Sequence, residues 1–232
     1  MSNTGARHSE VPLRGDEPDL NPGASLLSFA NGDTYSTILA DPPWRFTNRT
    51  GKVAPEHRRL SRYDTMDLGE IMALPVSKIA RSASHLYLWV PNALLLEGLQ
   101  VMQHWGFTYK TNLVWYKVRA DGGPDGRGVG FYFRNVTELV LFGIRGSIRT
   151  LQPGRRQVNL FQSRKRGHSR KPDELYNVIE SCSPGPYMEL FARFPRPDWA
   201  QWGDESPSLP DEQRLPTMLR IVRGSHTLPL PV

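Results

Sequence analysis

The sequence predicts one α/β domain in which a mostly parallel central sheet carries helices on both faces. Short apolar runs typical of strands alternate with segments of helical periodicity, and this alternation favours a doubly wound sheet. The chain has 232 residues, 38% of them hydrophobic, with 6 Trp and 9 Phe, so a sizeable core is expected. Cys182 is the one cysteine, which excludes an internal disulfide and a cysteine-rich zinc site.

The elements are predicted from apolar runs, caps and breakers in chain order. Asp67, with Glu70 at capping-box spacing, predicts the start of the first helix, and Gly106 predicts the end of the second. Pro172 suits the first turn of the third helix. Helices are therefore expected at residues 67–80, 93–105 and 172–182, and strands at 37–40, 85–90, 111–118, 137–144, 157–162, 187–192 and 199–203.

The two ends of the chain differ in composition from the middle. Residues 1–31 are rich in Gly, Pro, Ser and charge and lack hydrophobic periodicity, so a disordered tail is expected there. Residues 207–232 form a second, Pro-rich tail, which leaves 32–206 as the folded domain. No apolar run reaches about 18 residues, so we expect a cytoplasmic protein that does not enter a membrane. A net charge of +6 and a pI of about 9.6 favour an anionic partner.

The most informative stretch is Asp41-Pro42-Pro43-Trp44, here named the Asp-Pro-Pro-Trp turn. It follows an apolar strand run, and its two prolines fix φ and stiffen a loop at the strand end. We expect the carbonyls of this turn to point outward as free acceptors, beside the Asp41 carboxylate and the Trp44 indole. Such a set suits a planar ring with an amino group, which donates to the oxygens and stacks on the indole.

Two long loops are predicted at the edge of the sheet where ligands bind in open α/β folds. One covers residues 45–63, and the other covers residues 119–135 and holds five glycines. The second loop also contains Phe131, Tyr132 and Phe133. These three aromatic side chains either stack against a ligand or pack on the core.

Further sequence blocks follow the turn in a set order. They are Tyr63-Asp64-Thr65-Met66, Leu88-Trp89-Val90, Trp105-Gly106-Phe107, Trp115-Tyr116-Lys117, Glu138 before Leu141-Phe142-Gly143, His168–Glu174, Glu189–Arg193 and Trp199–Glu205. Together they resemble the adenine-N6 methyltransferases of the MT-A70 class over roughly residues 35–205. The resemblance implies a Rossmann-like class I methyltransferase fold with a permuted motif order, and makes 32–206 the catalytic domain.

The resemblance assigns the target amine to the Asp-Pro-Pro-Trp turn. It implies that Asp41 and the Pro42 carbonyl accept from the two N–H groups of adenine N6, so that the nitrogen lone pair localises. Pro43 completes the turn, and Trp44 is the candidate for stacking on the base. Positioning and electrostatics then supply much of the rate gain.

The resemblance also implies S-adenosylmethionine as the methyl donor and names its binding residues. Lys171 falls near the methionine carboxylate, and Arg193 falls near the ribose. Asp204 and Glu205 fall near the ribose and the adenine, where the family more often has an Asn-Glu or Asn-Gln pair. Asp41 borders the same cofactor site.

Two basic runs lie beside the predicted base site, and each is either a phosphate contact or an ordinary solvated face. The candidate phosphate ligands are Arg58, Arg59, Arg62, Arg164, Lys165 and Arg166. His85 lies in an apolar strand and is expected to be a satisfied core residue. No metal-ligand constellation is evident, and none is expected.

Adenine-N6 methylation of DNA is the expected function, because the chain is compact and has no evident RNA-binding module. The alternatives are an RNA adenine-N6 methyltransferase and an inactive partner subunit that presents a basic groove. Asp41, Trp44 and Lys171 are present, which argues against inactivity. Cytosine-N4 methylation is disfavoured, because its enzymes more often carry Ser-Pro-Pro-Tyr. By analogy with the family, a homodimer or a second subunit is a candidate partner.

Overall fold

The computed structural model describes residues 21–45, 65–126, 132–164 and 171–203. The strands are β1 (Tyr35–Ala40), β2 (Ala80–Val90), β3 (Thr108–Val118), β4 (Thr137–Arg145), β5 (Leu160–Arg164), β6 (Tyr187–Leu190) and β7 (Trp199–Trp202). The helices are α1 (Pro22–Ala30), α2 (Leu68–Ala73), α3 (Val76–Ile79), α4 (Leu95–His104) and α5 (Asp173–Cys182), with short 3-10 helices at Asn92–Leu94 and Pro153–Arg156.

The strands form one seven-stranded sheet in the order β5-β3-β4-β2-β1-β6-β7. Strand β1 lies parallel to β2 and β6, β6 lies parallel to β7, and β3 lies parallel to β5. Strand β4 is antiparallel to both of its neighbours, β2 and β3. Every described strand except β4 therefore runs in one direction, which confirms the prediction of a mostly parallel sheet.

Each face of the sheet has its own hydrophobic core. Successive side chains of a strand point to opposite faces. Ile38 and Leu88 therefore join a cluster with α1, α2 and α4, whereas Leu39 and Tyr87 join a cluster with α5. Helices on both faces are thereby confirmed, and they explain why the central strands read as nearly continuous apolar runs.

The segment before β1 is a helix, so the prediction of a disordered tail through residue 31 is wrong there. The Asn21 side chain caps α1 by accepting from the Gly23 N–H at 2.9 Å. Leu26 is fully buried, and the Trp202 indole donates to Ser25 Oγ at 3.2 Å. A nine-residue helix offers little periodicity to read, so its Gly, Pro and Ser content misled the prediction. Residues 1–20 and 204–232 lie outside the described part of the chain.

The helix predicted at residues 67–80 is two short helices, α2 and α3. The break lies at Pro75, which pushes Leu74 into an extended conformation and cannot continue a helical ladder. The predicted capping box is present: Asp67 Oδ1 accepts from the Glu70 N–H at 2.8 Å, and Glu70 Oε2 accepts from the Asp67 N–H at 2.7 Å.

Candidate active site

The Asp-Pro-Pro-Trp turn leaves the sheet at its topological switch point. The chain moves outward from β1 through β2 and later returns to β6 on the other side of β1. Ala40, the last residue of β1, pairs with Leu88 on one side and Leu190 on the other, so Asp41 emerges between two strand ends. Open α/β sheets bind their ligands at this position.

Two carbonyls of the turn already accept hydrogen bonds within the protein, so the prediction that the carbonyls are free is wrong for Pro42 and Pro43. Pro42 O accepts from the Trp44 N–H at 2.8 Å, and Pro43 O accepts from the Met66 N–H at 3.0 Å. A carbonyl oxygen has two lone pairs, so Pro42 O retains the capacity for a second hydrogen bond.

Trp44 anchors the turn to the sheet. Its side chain is 6% exposed and belongs to the core on the α1 face. The indole Nε1 donates to the Trp89 carbonyl at 3.0 Å. The buried indole has no open face, which contradicts the stacking role predicted for it, and Trp44 instead fixes where Asp41 lies.

A buried ion network joins the turn to β6. Lys171 Nζ lies 3.3 Å from Asp41 Oδ2 and 3.1 Å from Glu189 Oε1. Glu189 is 2% exposed and also accepts from Tyr176 Oη at 3.0 Å and Gln201 Nε2 at 2.9 Å. Burial acts to lower the pKa of Lys171, but the Asp41 and Glu189 carboxylates outweigh it and raise that pKa above its ordinary value. Lys171 is therefore a fixed cation between two carboxylates.

A second polar cluster lies at the same edge. Glu138 accepts from Trp89 Nε1 at 2.6 Å and from Lys117 Nζ, and Lys117 lies 5.1 Å from the centroid of the Trp115 ring. Because β4 is antiparallel, its first residues reach the edge at which β2 and β3 end. The Glu138 side chain is 33% exposed there, whereas the Lys117 side chain is only 10% exposed, so the carboxylate is the more accessible member of the pair.

Glu189 and Lys117 carry no predicted role, although both lie in sequence blocks that support the resemblance. The available signal was a charged residue within an apolar strand run, since charged side chains are almost never fully buried unless they are paired. Glu189 lies between Met188 and Leu190, and Lys117 lies next to Val118. The partners could not be read from the sequence because they come from other elements.

The structure brings some predicted residues together and separates others. Asp41 and Lys171 are in contact, and Arg193 follows β6 at the same edge. Arg164 ends β5, an exposed position four strands from β1 and roughly 19 Å away across the sheet. The predicted residues that lie outside the described part of the chain are Arg58, Arg59, Arg62, Phe131, Lys165, Arg166, Asp204 and Glu205.

The groups around Asp41 fit S-adenosylmethionine, which carries a carboxylate, an ammonium and a sulfonium cation. Lys171 offers a cation to the carboxylate, and Asp41 and Glu189 offer anions to the positive groups. With both acids ionised, the three side chains have a net charge of −1, which suits a sulfonium. The described residues contain no group of three His, Cys, Asp or Glu side chains placed to hold a metal ion. Nor does any described helix have the length and apolar character needed to cross a membrane.

Comparison with known proteins agrees with this geometry. The MT-A70 family model matches residues 35–205. The type II methyltransferase M.MunI of Mycoplasma sp is 29% identical over 189 residues, which cover 75% of this chain and 78% of that protein. An N(6)-adenosine-methyltransferase MT-A70-like protein of Drosophila melanogaster is 29% identical over 175 residues, which are 74% of this chain and 27% of the relative.

The human N(6)-adenosine-methyltransferase catalytic subunit METTL3 is 26% identical over 175 residues, again 74% of this chain and 28% of the relative. The chain thus spans about a quarter of the length of these two eukaryotic proteins. The matched residues contain the Asp-Pro-Pro-Trp turn, Lys171 and Glu189, which confirms the resemblance found in the sequence. The chain belongs to the MT-A70 family of adenine-N6 methyltransferases, which use S-adenosylmethionine as the methyl donor.

Proposed function

We propose that this protein methylates the N6 amine of adenine in DNA. The observation that carries the proposal is the state of Asp41. Its side chain is 28% exposed at the switch point, while the buried Lys171 ammonium holds one of its oxygens. A fixed carboxylate with an open side is what a substrate amine requires as an acceptor.

The amine of adenine is a poor nucleophile, because its lone pair is delocalised into the ring. Asp41 and the second lone pair of Pro42 O bind the two N–H groups and favour a tetrahedral nitrogen. S-adenosylmethionine, when bound beside Lys171 and Asp41, would supply a methyl group to this nitrogen and leave as S-adenosylhomocysteine, and one N–H proton would pass to water. Lys171 Nζ, 3.3 Å from Asp41 Oδ2, orients this carboxylate before the amine arrives, which lowers the cost of reorganisation.

Exposed aromatic rings beside the site support a nucleic-acid substrate. Tyr132 is 95% exposed and Phe133 is 86% exposed, so of the two readings of these side chains the structure excludes packing on the core. They belong to the connection between β3 and β4, which leaves the sheet at the edge of Asp41. An enzyme that acts on a base must extrude it from the duplex or take it from a single strand, and aromatic rings stabilise the unstacked bases.

One relative supports DNA as the substrate. The relative that shares most of its length with this chain is named a type II methyltransferase, and we infer DNA modification from that class name. The relatives named for adenosine, a ribonucleoside, are matched over about a quarter of their length. RNA is the second candidate substrate, because the names of these relatives state adenosine as their substrate.

The test supplies the protein with labelled S-adenosylmethionine and matched DNA and RNA pools, and identifies the methylated base. We expect N6-methyladenine in DNA, and no product from Asp41→Ala. Methylation of RNA alone would contradict the DNA assignment. Cofactor binding without transfer to either pool would favour a non-catalytic subunit. Phe133→Ala is the matched variant, because it leaves the ion network intact. We expect it to bind nucleic acid more weakly and to keep its cofactor affinity.

A further inference from the structure

A cavity lies on the α5 face of the sheet, away from the Asp-Pro-Pro-Trp turn. It is an open cavity of about 320 Å³ bordered by β2, β3, β4 and the connection from β4 to β5. His85, which lines it, pairs with Thr37, four residues before Asp41. At about 3.3 Å per residue, the cavity lies roughly 13 Å along the strands from the level of Asp41.

Three cations surround this cavity. Lys110 comes from β3, and Arg149 and Arg155 come from the connection between β4 and β5. Within the part of the chain that the structure describes, none of the three forms an ion pair. Like charges held around one space repel each other, and a bound anion offsets that repulsion. Phe142 and Ile144 supply apolar wall, while the three cationic side chains are exposed around it.

The segment that carries the two arginines is held in place before any ligand binds. Gly146, which turns the chain after β4, has φ +65°, and a Cβ there would lie 2.2 Å from Ser82 O. Further along, the Leu151 N–H donates to the Cys182 carbonyl at 2.8 Å, which fixes the segment to the end of α5. The Arg155 Nε donates to the Thr150 carbonyl at 3.2 Å and orients the guanidinium.

Among the described residues, one buried nitrogen of a residue that lines the cavity has no hydrogen-bond partner. His85 Nδ1 lies 2.7 Å from Ser183 Oγ, which satisfies that side of the ring as predicted. His85 Nε2, in contrast, has no hydrogen-bond partner among the described residues. Buried polar atoms are rarely left in this state unless an ion, water or ligand belongs to the site.

We propose that this cavity binds a phosphate group. Arginine presents a planar fork of donors that matches phosphate oxygens, and lysine adds a compact charge. The volume lies at the lower end of the range for small-ligand sites, which gives room for a phosphate and part of its carrier. The group comes either from a nucleic-acid backbone or from a small phosphorylated molecule, and one set of variants distinguishes these sources.

The test compares Arg149→Gln and Arg155→Gln, singly and together, with Arg156→Gln. Arg156 is a matched control, because it is an exposed arginine of the same 3-10 helix as Arg155 and does not line the cavity. Inorganic phosphate binding is measured by calorimetry, and binding of an adenine-containing oligonucleotide is measured by fluorescence anisotropy. We expect the double variant to lose about tenfold in affinity for at least one probe, and Arg156→Gln to stay within about twofold.

Each outcome decides between the sources or against the proposal. Weaker binding of the oligonucleotide identifies a backbone phosphate, whether or not inorganic phosphate also binds more weakly. Weaker binding of inorganic phosphate alone identifies a small phosphorylated ligand. Affinities equal to those of Arg156→Gln for both probes would overturn the proposal. Lys110→Gln, on a different element, replaces the double variant if thermal unfolding shows that the latter does not fold. Methyl transfer is not the readout, so failure here is distinct from failure of the proposed function.

Discussion

At the scale of single residues, Lys171 determines the electrostatics of the site. It is buried with one partly exposed carboxylate and one fully buried carboxylate, and it satisfies both. Removing one member of such a set leaves a buried charge without its partner. The resulting loss of stability exceeds the net contribution of the ion pair to the free energy of folding. The role of each acid is therefore best separated by a change that keeps its shape.

Glu189→Gln retains the size of the side chain and removes its charge. We expect S-adenosylmethionine affinity to fall by about tenfold or more, because Lys171 loses its buried partner and no longer holds its position. The measurements are calorimetric titration of the cofactor and a single-turnover rate. Glu180→Gln is the control, since Glu180 of α5 pairs with Arg196, which lies between β6 and β7, and does not contact the turn. Equal behaviour of the two variants would rule out the assigned role of Glu189.

His85 predicts a pH dependence of folding stability. Burial lowers the pKa of His85 to about 4, whereas the unfolded chain titrates near the ordinary value of about 6.5. The unfolded state binds more protons between these values, so stability falls as pH falls from about 6.5 to about 4. In His85→Gln, the free energy of unfolding should no longer fall by this contribution, about 3 kcal/mol between about pH 6.5 and about pH 4. Urea unfolding at several pH values measures it. His104→Gln, at the exposed end of α4, is the control. An unchanged slope in His85→Gln contradicts the prediction.

The residue that misled the sequence interpretation is Trp44. Its position after two prolines indicated an exposed face for stacking, yet the indole is buried and bonded to Trp89. Local sequence shows that a flat ring is present and does not show which neighbour covers it. Asp41 and Lys171, by contrast, were found together because the resemblance carries information about the whole chain.

At the scale of elements, the strands were the most predictable part. Helices cover both faces of the sheet, so each central strand contains a nearly continuous apolar run that stands out in the sequence. Their ends were not predictable, because pairing decides them: Ser84 is polar but lies in β2 opposite Arg145 of β4. The direction of β4 was also beyond the sequence pattern, since it depends on a neighbour.

Helix α1 belongs to the folded domain, and paired leucines test this. Leu26 is fully buried, whereas Leu27 beside it is 36% exposed. Leu26→Ala should destabilise the protein by about 3 kcal/mol through lost burial and a cavity. Leu27→Ala should cost less than about 1 kcal/mol. Urea unfolding measures both, and similar small losses would show that α1 contributes little to the core.

At the scale of the whole molecule, charge and topology act on different steps. The sheet order places the ends of β1 and β6 side by side, so residues far apart in sequence form one site. The net charge of +6 acts over a longer range and favours the approach of a polyanion. Chemistry and association should therefore respond differently to salt.

Raising salt separates these two contributions. Oligonucleotide affinity should fall at least about tenfold between about 50 and 200 mM salt, because binding releases counterions from the phosphates. Cofactor affinity should change less than about threefold, because the buried Lys171 network is poorly screened. Anisotropy and calorimetry provide the two curves. A salt-independent oligonucleotide affinity would exclude a phosphate-dominated interface.

The reversed strand β4 has a consequence for how specificity can change. Both ends of the β3–β4 connection lie at the edge of the sheet that carries Asp41. The Lys117–Glu138 ion pair joins these two ends. The backbone adds to this closure, as the Lys117 N–H donates to Val136 O at 2.8 Å. The connection can therefore be lengthened, shortened or exchanged without shifting the register of any strand. If the connection contacts the nucleic acid, as the proposed function implies, we expect that changes in it alter target choice and leave the ion network at Asp41 intact.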